Sequence, residues 1–382
     1  MYYLDHAATT PMHPEVAAVM LEVMQGPGGN PSSMHAFGRA AKQLLSRSRD
    51  GMAAALHCRP NELVFTSGGT ESDNLAIIGA ARALRHEGKN HIITSAAEHH
   101  AVLHTCEWLS KQGYEVTVLP VDATGRVSPE DVRNAITSRT GLMTIMHGNN
   151  EVGTMQPIQE LGEIARAHGI TFHVDAVQSL GSFPYDLHDL PVDLVSFSAH
   201  KINGPAGVGL LYIKQGTPIE PLALGGSQER KRRAGTENVA GIAGFARALD
   251  LCVSNRSSRR QELDVLREVW IEQLTARLDK DAIMVNGHGE ERLPHIANLS
   301  FLGVDTETML MNLDLSGIAA SSGSACTSGS LERSHVLRAM KLPDEHLNTA
   351  IRFSFGLGNT REQLDEAAQI VATIVQRIRN NS

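Results

Sequence analysis

The chain is short of aromatic residues, which make up 4% of its 382 positions, and has only four cysteines. Cys58, Cys106, Cys252 and Cys326 form no close pairs, which fits a reducing compartment better than a disulfide framework. No apolar run approaches the length that crosses a bilayer. The first residues, MYYLDHAATT, lack the basic region and apolar core of a signal peptide. A cytoplasmic protein without membrane contact is therefore expected. Positive charge is not in excess: 34 Lys and Arg stand against 42 Asp and Glu, a net charge of −8. That balance argues against direct nucleic-acid binding by bulk electrostatics. Internal repeats, low-complexity tracts and the Gly-Lys-Ser/Thr of a Walker loop are missing too. What is left is 42% hydrophobic content in a chain long enough for two domains and a large core.

The chain is organised around LVSFSAHKINGP, residues 194–205. Its apolar start reads as a buried strand that ends just before Lys201. Lys201 is thereby placed at the carboxyl end of a strand, the edge where open α/β sheets bind ligands. A lone lysine there is ordinarily a solvated side chain. Ser198 and His200 crowd the same strand end, and the set suits an anionic, carbonyl-bearing cofactor. Pyridoxal phosphate is such a cofactor, and a desolvated lysine can hold it as a Schiff base.

Further strands are expected at residues 2–4, 62–66, 91–97, 115–121, 141–147, 171–177 and 207–213, the last of them antiparallel. Helices are expected at 14–24, 39–56, 157–168 and 239–253, and in TESDNLAIIGAARAL and EHHAVLHTCEWL. The loop at 26–38, dense in Gly, Pro and Ser, contains Asn30 and His35. The polar break SNRSSR near 254–259 marks a domain boundary. It divides the chain into a large domain, 14–255, and a small one made of 1–13 and 256–382. A helix at 261–278, a strand at 296–301, a helix at 306–313, a strand at 349–356 and a last helix capped by Thr360 and Gln363 belong to the small domain.

Several residues carry candidate chemistry. The strand, glycine turn and helix start around Gly69 and Thr70 offer free N–H groups to an anion, although a plain helix capped by Thr70 and Asp73 accounts for them equally. His99 and His100 fall at a strand-to-helix junction. His100 and His104 are spaced for a metal, but no carboxylate or cysteine pattern completes a site, so none is expected. A flat imidazole stacked on an aromatic cofactor is the other use. Asn149 and Asn150 end a strand. Asp175 ends another, where a carboxylate needs a cation, either a pyridinium nitrogen or a structural ion pair. The basic loop GGSQERKRRAGTEN reads as solvated, with Thr236 within reach of a phosphate. Cys326 stands in SSGSACTS without apolar neighbours, as a mobile, reactive thiol would. Arg352 interrupts an apolar strand and calls for an anion such as a substrate carboxylate.

In order, YLDHAATT, GNPSSMH, TSGGTESDN, EHHAV, HGNNEVG, HVDAVQ, SFSAHKINGP, RRAGTEN, SSGSACTS and IRFSFG resemble the cysteine desulfurases of the NifS/IscS type in the class V aminotransferase family. The resemblance implies PLP fold type I: a large domain with a mostly parallel seven-stranded sheet flanked by helices, and a smaller α/β domain. It implies pyridoxal 5'-phosphate held by Lys201, with Gly69, Thr70, Ser198 and His200 on the phosphate and Thr236 reaching it from the partner subunit of a homodimer. Asp175 would pair with the ring nitrogen, Gln178 contact the ring hydroxyl and His99 stack on the ring. Asn150 and Arg352, with Asn30, would hold the substrate. Cys326 would take sulfur from L-cysteine as a persulfide, leaving alanine, and pass it to an acceptor protein, an iron–sulfur scaffold or a tRNA thiolase. A selenocysteine lyase or a class V aminotransferase is the alternative. Ala199 and Asn203 depart from the family's usual residues without removing a reacting group.

Overall fold

The computed structural model describes residues 1–323 and 333–380. Its main body is a seven-stranded sheet. From one edge the strands are Leu63–Thr66, Gly209–Ile213, Leu194–Ser198, Thr171–Asp175, Thr140–Thr144, His91–Ser95 and Glu115–Leu119. All neighbours are parallel except Gly209–Ile213, which runs antiparallel to both strands beside it. The inner strands are buried along nearly their whole length, and mostly apolar, as expected of a sheet covered on both faces. The expected α/β architecture is thus the observed one.

A second apolar cluster lies apart from the sheet. Trp270, Phe301 and Phe353 pack there beneath the helices Arg256–Arg277 and Arg361–Asn380. An antiparallel sheet of Ala350–Ser354, Ile296–Phe301 and Ile283–Asn286 forms its floor. Leu4 joins this cluster, and Tyr2–Tyr3 pairs in parallel with Ile318–Ala319. Val336, Leu337, Met340 and Leu347 turn the other way and join the core of the large sheet.

Three local expectations are corrected. The helix at 69 is not capped by Thr70 and Asp73. Gly68 is the N-cap, without a side-chain hydrogen bond, and Glu71 instead accepts from Ser67 N–H at 2.7 Å. Asp73 faces inward, on the side of Ala76, Ile77 and Ala80. SNRSSR is not a break either: only Asn255 separates the helix Val239–Ser254 from the next, which starts at Arg256 rather than 261. Ser and Arg carry no strong helix penalty, so one non-helical residue suffices to turn the chain. Nor is the basic loop freely solvated. Glu229 is 6% exposed, and both its oxygens accept from Arg49, at 3.0 and 2.6 Å. Arg233 pairs with Glu71 at 2.8 Å.

Candidate active site

The carboxyl ends of the parallel strands open into a pocket of about 370 Å³. It is where strand-end loops from successive crossovers converge, as in other open α/β sheets. Gly69, Thr70, His99, Asn150, Asp175, Gln178, Ser198, His200, Lys201 and Arg352 all line it. Residues from distant parts of the sequence are therefore brought together as expected. Asn30 and Thr236 do not line it. Asn30 is exposed and turns its side chain onto Ser32 N–H, at 2.9 Å. Thr236 is exposed at the end of the loop that Arg49 and Glu229 anchor. Cys326 lies outside the described residues, but Ser321 and Gly323 of its own stretch line the pocket.

Lys201 ends the single helical turn that follows the strand Leu194–Ser198. Its Nζ donates to the carbonyls of Ala7 at 2.6 Å and Ala8 at 2.7 Å. Burial and the nearby Arg352 charge lower its pKa to about 8, against the pull of Asp5 and Asp175. Asp175 closes its strand and accepts from Val177 N–H at 2.9 Å. Burial raises its carboxyl to about 6, with that hydrogen bond and Lys201 acting the other way. Gln178 donates to Ala7 O at 2.8 Å, so the N-terminal segment is tied to both Gln178 and Lys201.

His99 is the N-cap of the helix His100–Lys111, and its Nδ1 accepts from Ala101 N–H at 3.1 Å. The neutral ring must then carry its proton on Nε2. Desolvation, Lys201 and the neighbouring histidines hold His99 at about 4, so the ring is neutral near pH 7. His100 and His104 stack on each other, 4.9 Å between ring centres. Among the described residues no three His, Cys, Asp or Glu side chains are placed to hold a metal.

The phosphate expectation has a geometric counterpart. A Cβ at Gly69 would lie 2.7 Å from Val177 Cγ2, so only glycine lets the helix start approach the strand ends this closely. The first N–H groups of this helix have no side-chain cap and face an anion-seeking site. Arg352 donates to Asn150 O at 2.9 Å and to Asp5 at 2.7 Å, while its buried Nε finds no partner. An amine, an inward carboxylate, an anion cradle and a spare guanidinium edge fit an anionic, carbonyl-bearing aromatic group together with a carboxylate substrate.

Three more acids belong to this neighbourhood: Asp5 and Glu98 were not picked out from sequence, and Asp73 was read only as a helix cap. Asp5 pairs with Arg352. Asp73 lines the pocket at 1% exposure, and burial followed by the charge of Asp175 raises its carboxyl. Glu98 is fully buried, accepts from Ser95 Oγ and Met146 N–H, and is pushed up to about 8 by burial. Asp73 was discoverable, since it shares the helical face of Ala76, Ile77 and Ala80. Asp5, in a one-residue β-bridge to Ser354, and Glu98, just before a helix, stand outside regular elements, where no periodicity marks them.

With this fold and pocket, the chain belongs to the class-V aminotransferase family, whose model matches residues 2–366. Within that family its relatives are cysteine desulfurases. It is 49% identical to the putative cysteine desulfurase IscS 1 of Bacillus subtilis, over 98% of this chain and 99% of that one. It is 50% identical to the cysteine desulfurase IscS of Methanosarcina thermophila, over 100% of this chain and 93% of the other. A solved NifS-like protein superposes with a TM-score of 0.92 at 36% identity, covering 98% and 99% of the two chains. A structure titled SspA in complex with cysteine gives 0.81 at 34% identity, covering 93% and 99%.

Proposed function

We propose that this chain is a pyridoxal-phosphate-dependent cysteine desulfurase, converting L-cysteine to L-alanine and leaving the sulfur as a persulfide on Cys326. One observation carries the assignment: Lys201, Asp175, Arg352 and the Gly323 end of the Cys326 stretch share one pocket. When bound, the cofactor supplies a carbonyl for the substrate amine and an electron sink for the Cα–H bond.

The chain's own groups do the rest. Gly69, Thr70, Ser198 and His200 hold the phosphate, and Asp175 keeps the ring nitrogen protonated. With a pKa of about 8, Lys201 is deprotonated in about a fifth of molecules near pH 7.4, enough to attack a carbonyl or take the Cα proton. His99 offers the pocket a neutral ring with its proton on Nε2. Arg352, held by Asn150 O and Asp5, lines the pocket and supplies the positive charge that meets the substrate carboxylate. The Cys326 thiolate takes the substrate sulfur atom, so cysteine and thiol become alanine and persulfide with no outside oxidant.

The working unit is a homodimer in which Thr236 serves the partner's site, and Asn30 is a substrate-binding residue. The large body, 14–255, and the small one, 1–13 with 256–382, contribute Lys201 and Cys326 respectively. The persulfide goes to an acceptor protein, an iron–sulfur scaffold or a tRNA thiolase, in the cytoplasm. Cys58, Cys106 and Cys252 are free thiols, and no helix among the described residues is long and apolar enough to cross a membrane.

The test feeds L-cysteine to purified enzyme and measures alanine, sulfide and persulfide on Cys326. Lys201→Ala should abolish the cofactor's absorbance. Cys326→Ser should retain it and lose alanine formation. Near-normal turnover by Cys326→Ser sinks the proposal.

A further inference from the structure

Glu151 follows Asn150 in GNNEVG and has no part in the reaction above. We infer that Glu151 is a positioning residue that fastens both flanks of the Cys326 segment to the floor carrying Asn150 and Arg352. The inference rests on the desulfurase assignment and adds a residue to it.

Glu151 is 2% exposed. Its backbone is fixed from two sides: its N–H donates to Asn149 Oδ1 at 2.8 Å, and its carbonyl accepts from Asn298 Nδ2 at 3.2 Å. A buried carboxylate is costly unless its oxygens are met. Ser334 meets one of them, with Oγ to Oε2 at 2.5 Å. The same Oγ accepts from Leu337 N–H at 3.1 Å and caps the helix His335–Ala339. The hydroxyl thus donates its proton to Glu151 while its oxygen accepts from the helix start.

The other flank reaches the same oxygen. A Cβ at Gly323 would lie 2.9 Å from Glu151 Oε2, and Gly323 has φ +89°. The positive φ calls for glycine, and the Glu151 carboxylate packs directly beside it. Just upstream, Ser321 exchanges two backbone hydrogen bonds with Arg352, at 2.6 and 3.2 Å. Just downstream, His335 Nε2 is 2.8 Å from the carbonyl of Glu98, the residue before His99. Residues 323 and 334 therefore converge on one side chain that is itself joined to the substrate floor. A thiol on the intervening segment starts its path to substrate sulfur from two fixed points, and loss of such positioning is felt in the chemical step.

The test uses full-length holoenzyme carrying Glu151→Ala, Glu151→Gln or Ser334→Ala, beside Cys326→Ser. Glu151→Ala should lower kcat for alanine formation about tenfold or more, with KM for L-cysteine within about twofold. Its cofactor absorbance should be unchanged. The alkylation rate of Cys326, read by peptide mapping, should change severalfold. Ser334→Ala should move kcat the same way by about threefold. Glu151→Gln keeps an acceptor for Ser334 and should restore most of the rate.

Wild-type kcat and Cys326 alkylation in Glu151→Ala, with Cys326→Ser inactive, overturns the inference and spares the desulfurase assignment. An active Cys326→Ser overturns the assignment itself. Equal loss in Glu151→Gln and Glu151→Ala also overturns the anchoring role, because the acceptor is still present. If Glu151→Ala fails to fold or to retain cofactor, Ser334→Ala decides, and a normal kcat there overturns it.

Discussion

Arg352 and Asp5 form an ion pair, Nη2 to Oδ1 at 2.7 Å, between the last strand of the small sheet and the first residues of the chain. Arg352 is 4% exposed, so Asp5 compensates a charge that would otherwise be buried alone. Nε of the same guanidinium is buried without a partner. Asp5 is therefore expected to aid substrate binding, although it competes for the same cation. Asp5→Ala should raise KM for L-cysteine about tenfold while kcat falls less. Steady-state kinetics decides the matter: an unchanged or lower KM would show Asp5 to be only a competitor.

Lys201 should set the pH at which the empty chain captures its cofactor. Burial, then Arg352, lowers the amine to about 8. Only the neutral amine attacks an aldehyde, so the capture rate should rise as pH rises through about 8 and then level off. Arg352→Gln removes a repelling charge, which raises the Lys201 pKa and moves the profile to higher pH. Rapid-mixing absorbance across this range is the measurement. A profile that stays in place in Arg352→Gln counts against electrostatic coupling of the two residues.

Glu98 should shape stability against pH. Its folded pKa of about 8 lies above the ordinary 4.5, because burial disfavours the charge. A raised carboxyl favours the fold fully below pH 4.5, and that contribution is lost as pH climbs through about 8. His147 and His173, held by burial at about 3, act oppositely and at lower pH: the fold loses stability as pH falls from 6.5 towards 3. Glu98→Gln leaves the histidine effect in place and removes the carboxyl. The difference in Tm between variant and wild type should therefore grow in the variant's favour between pH 5 and pH 8 (about one Glu98 titration). A difference that is flat in pH contradicts the assignment.

The sheet and its strand-end residues were legible in sequence because the strands are short, mostly apolar segments followed by polar residues at their carboxyl ends. LVSFSAHK and TFHVD are read this way, and Lys201 and Asp175 both reach the pocket. Contacts made by turns were not legible. Asp5, Glu98 and Glu151 have no periodic neighbours to show which way they face, and their partners lie far along the chain. The basic loop misled because Glu229 looks like one more charge in a charged run. Its burial depends on Arg49, in a helix of the same large body but 180 positions earlier.

Gly69 should matter for the phosphate more than for the ring. An added Cβ meets Val177 Cγ2 at 2.7 Å and Ser198 Cβ at 3.7 Å, which pushes the helix start away from the strand ends. Gly69→Ala should weaken pyridoxal phosphate binding about tenfold or more in equilibrium dialysis. Capture of pyridoxal, which lacks the phosphate, should change much less. Equal losses for both compounds would mean that Gly69 shapes the ring site instead.

Thr236 tests the shared site. It is exposed and lies outside the pocket of its own chain, in a loop that Arg49–Glu229 and Glu71–Arg233 hold in place. In a two-fold dimer each contact occurs twice, so each site would borrow one Thr236 from the other chain. Consider Thr236→Ala chains mixed with Lys201→Ala chains after each is shown to be impaired. If Thr236 crosses over, the Lys201→Ala site of a hybrid dimer also receives the altered residue 236. The other site then has an intact Lys201 and an intact Thr236, and activity should reappear as subunits exchange. If Thr236 serves its own chain, every hybrid site carries one lesion and no intact site forms. Exchange can be followed independently with differently tagged chains. Mixtures that exchange fully and gain no activity rule out the crossing, and a fully active monomer in sedimentation does so more directly.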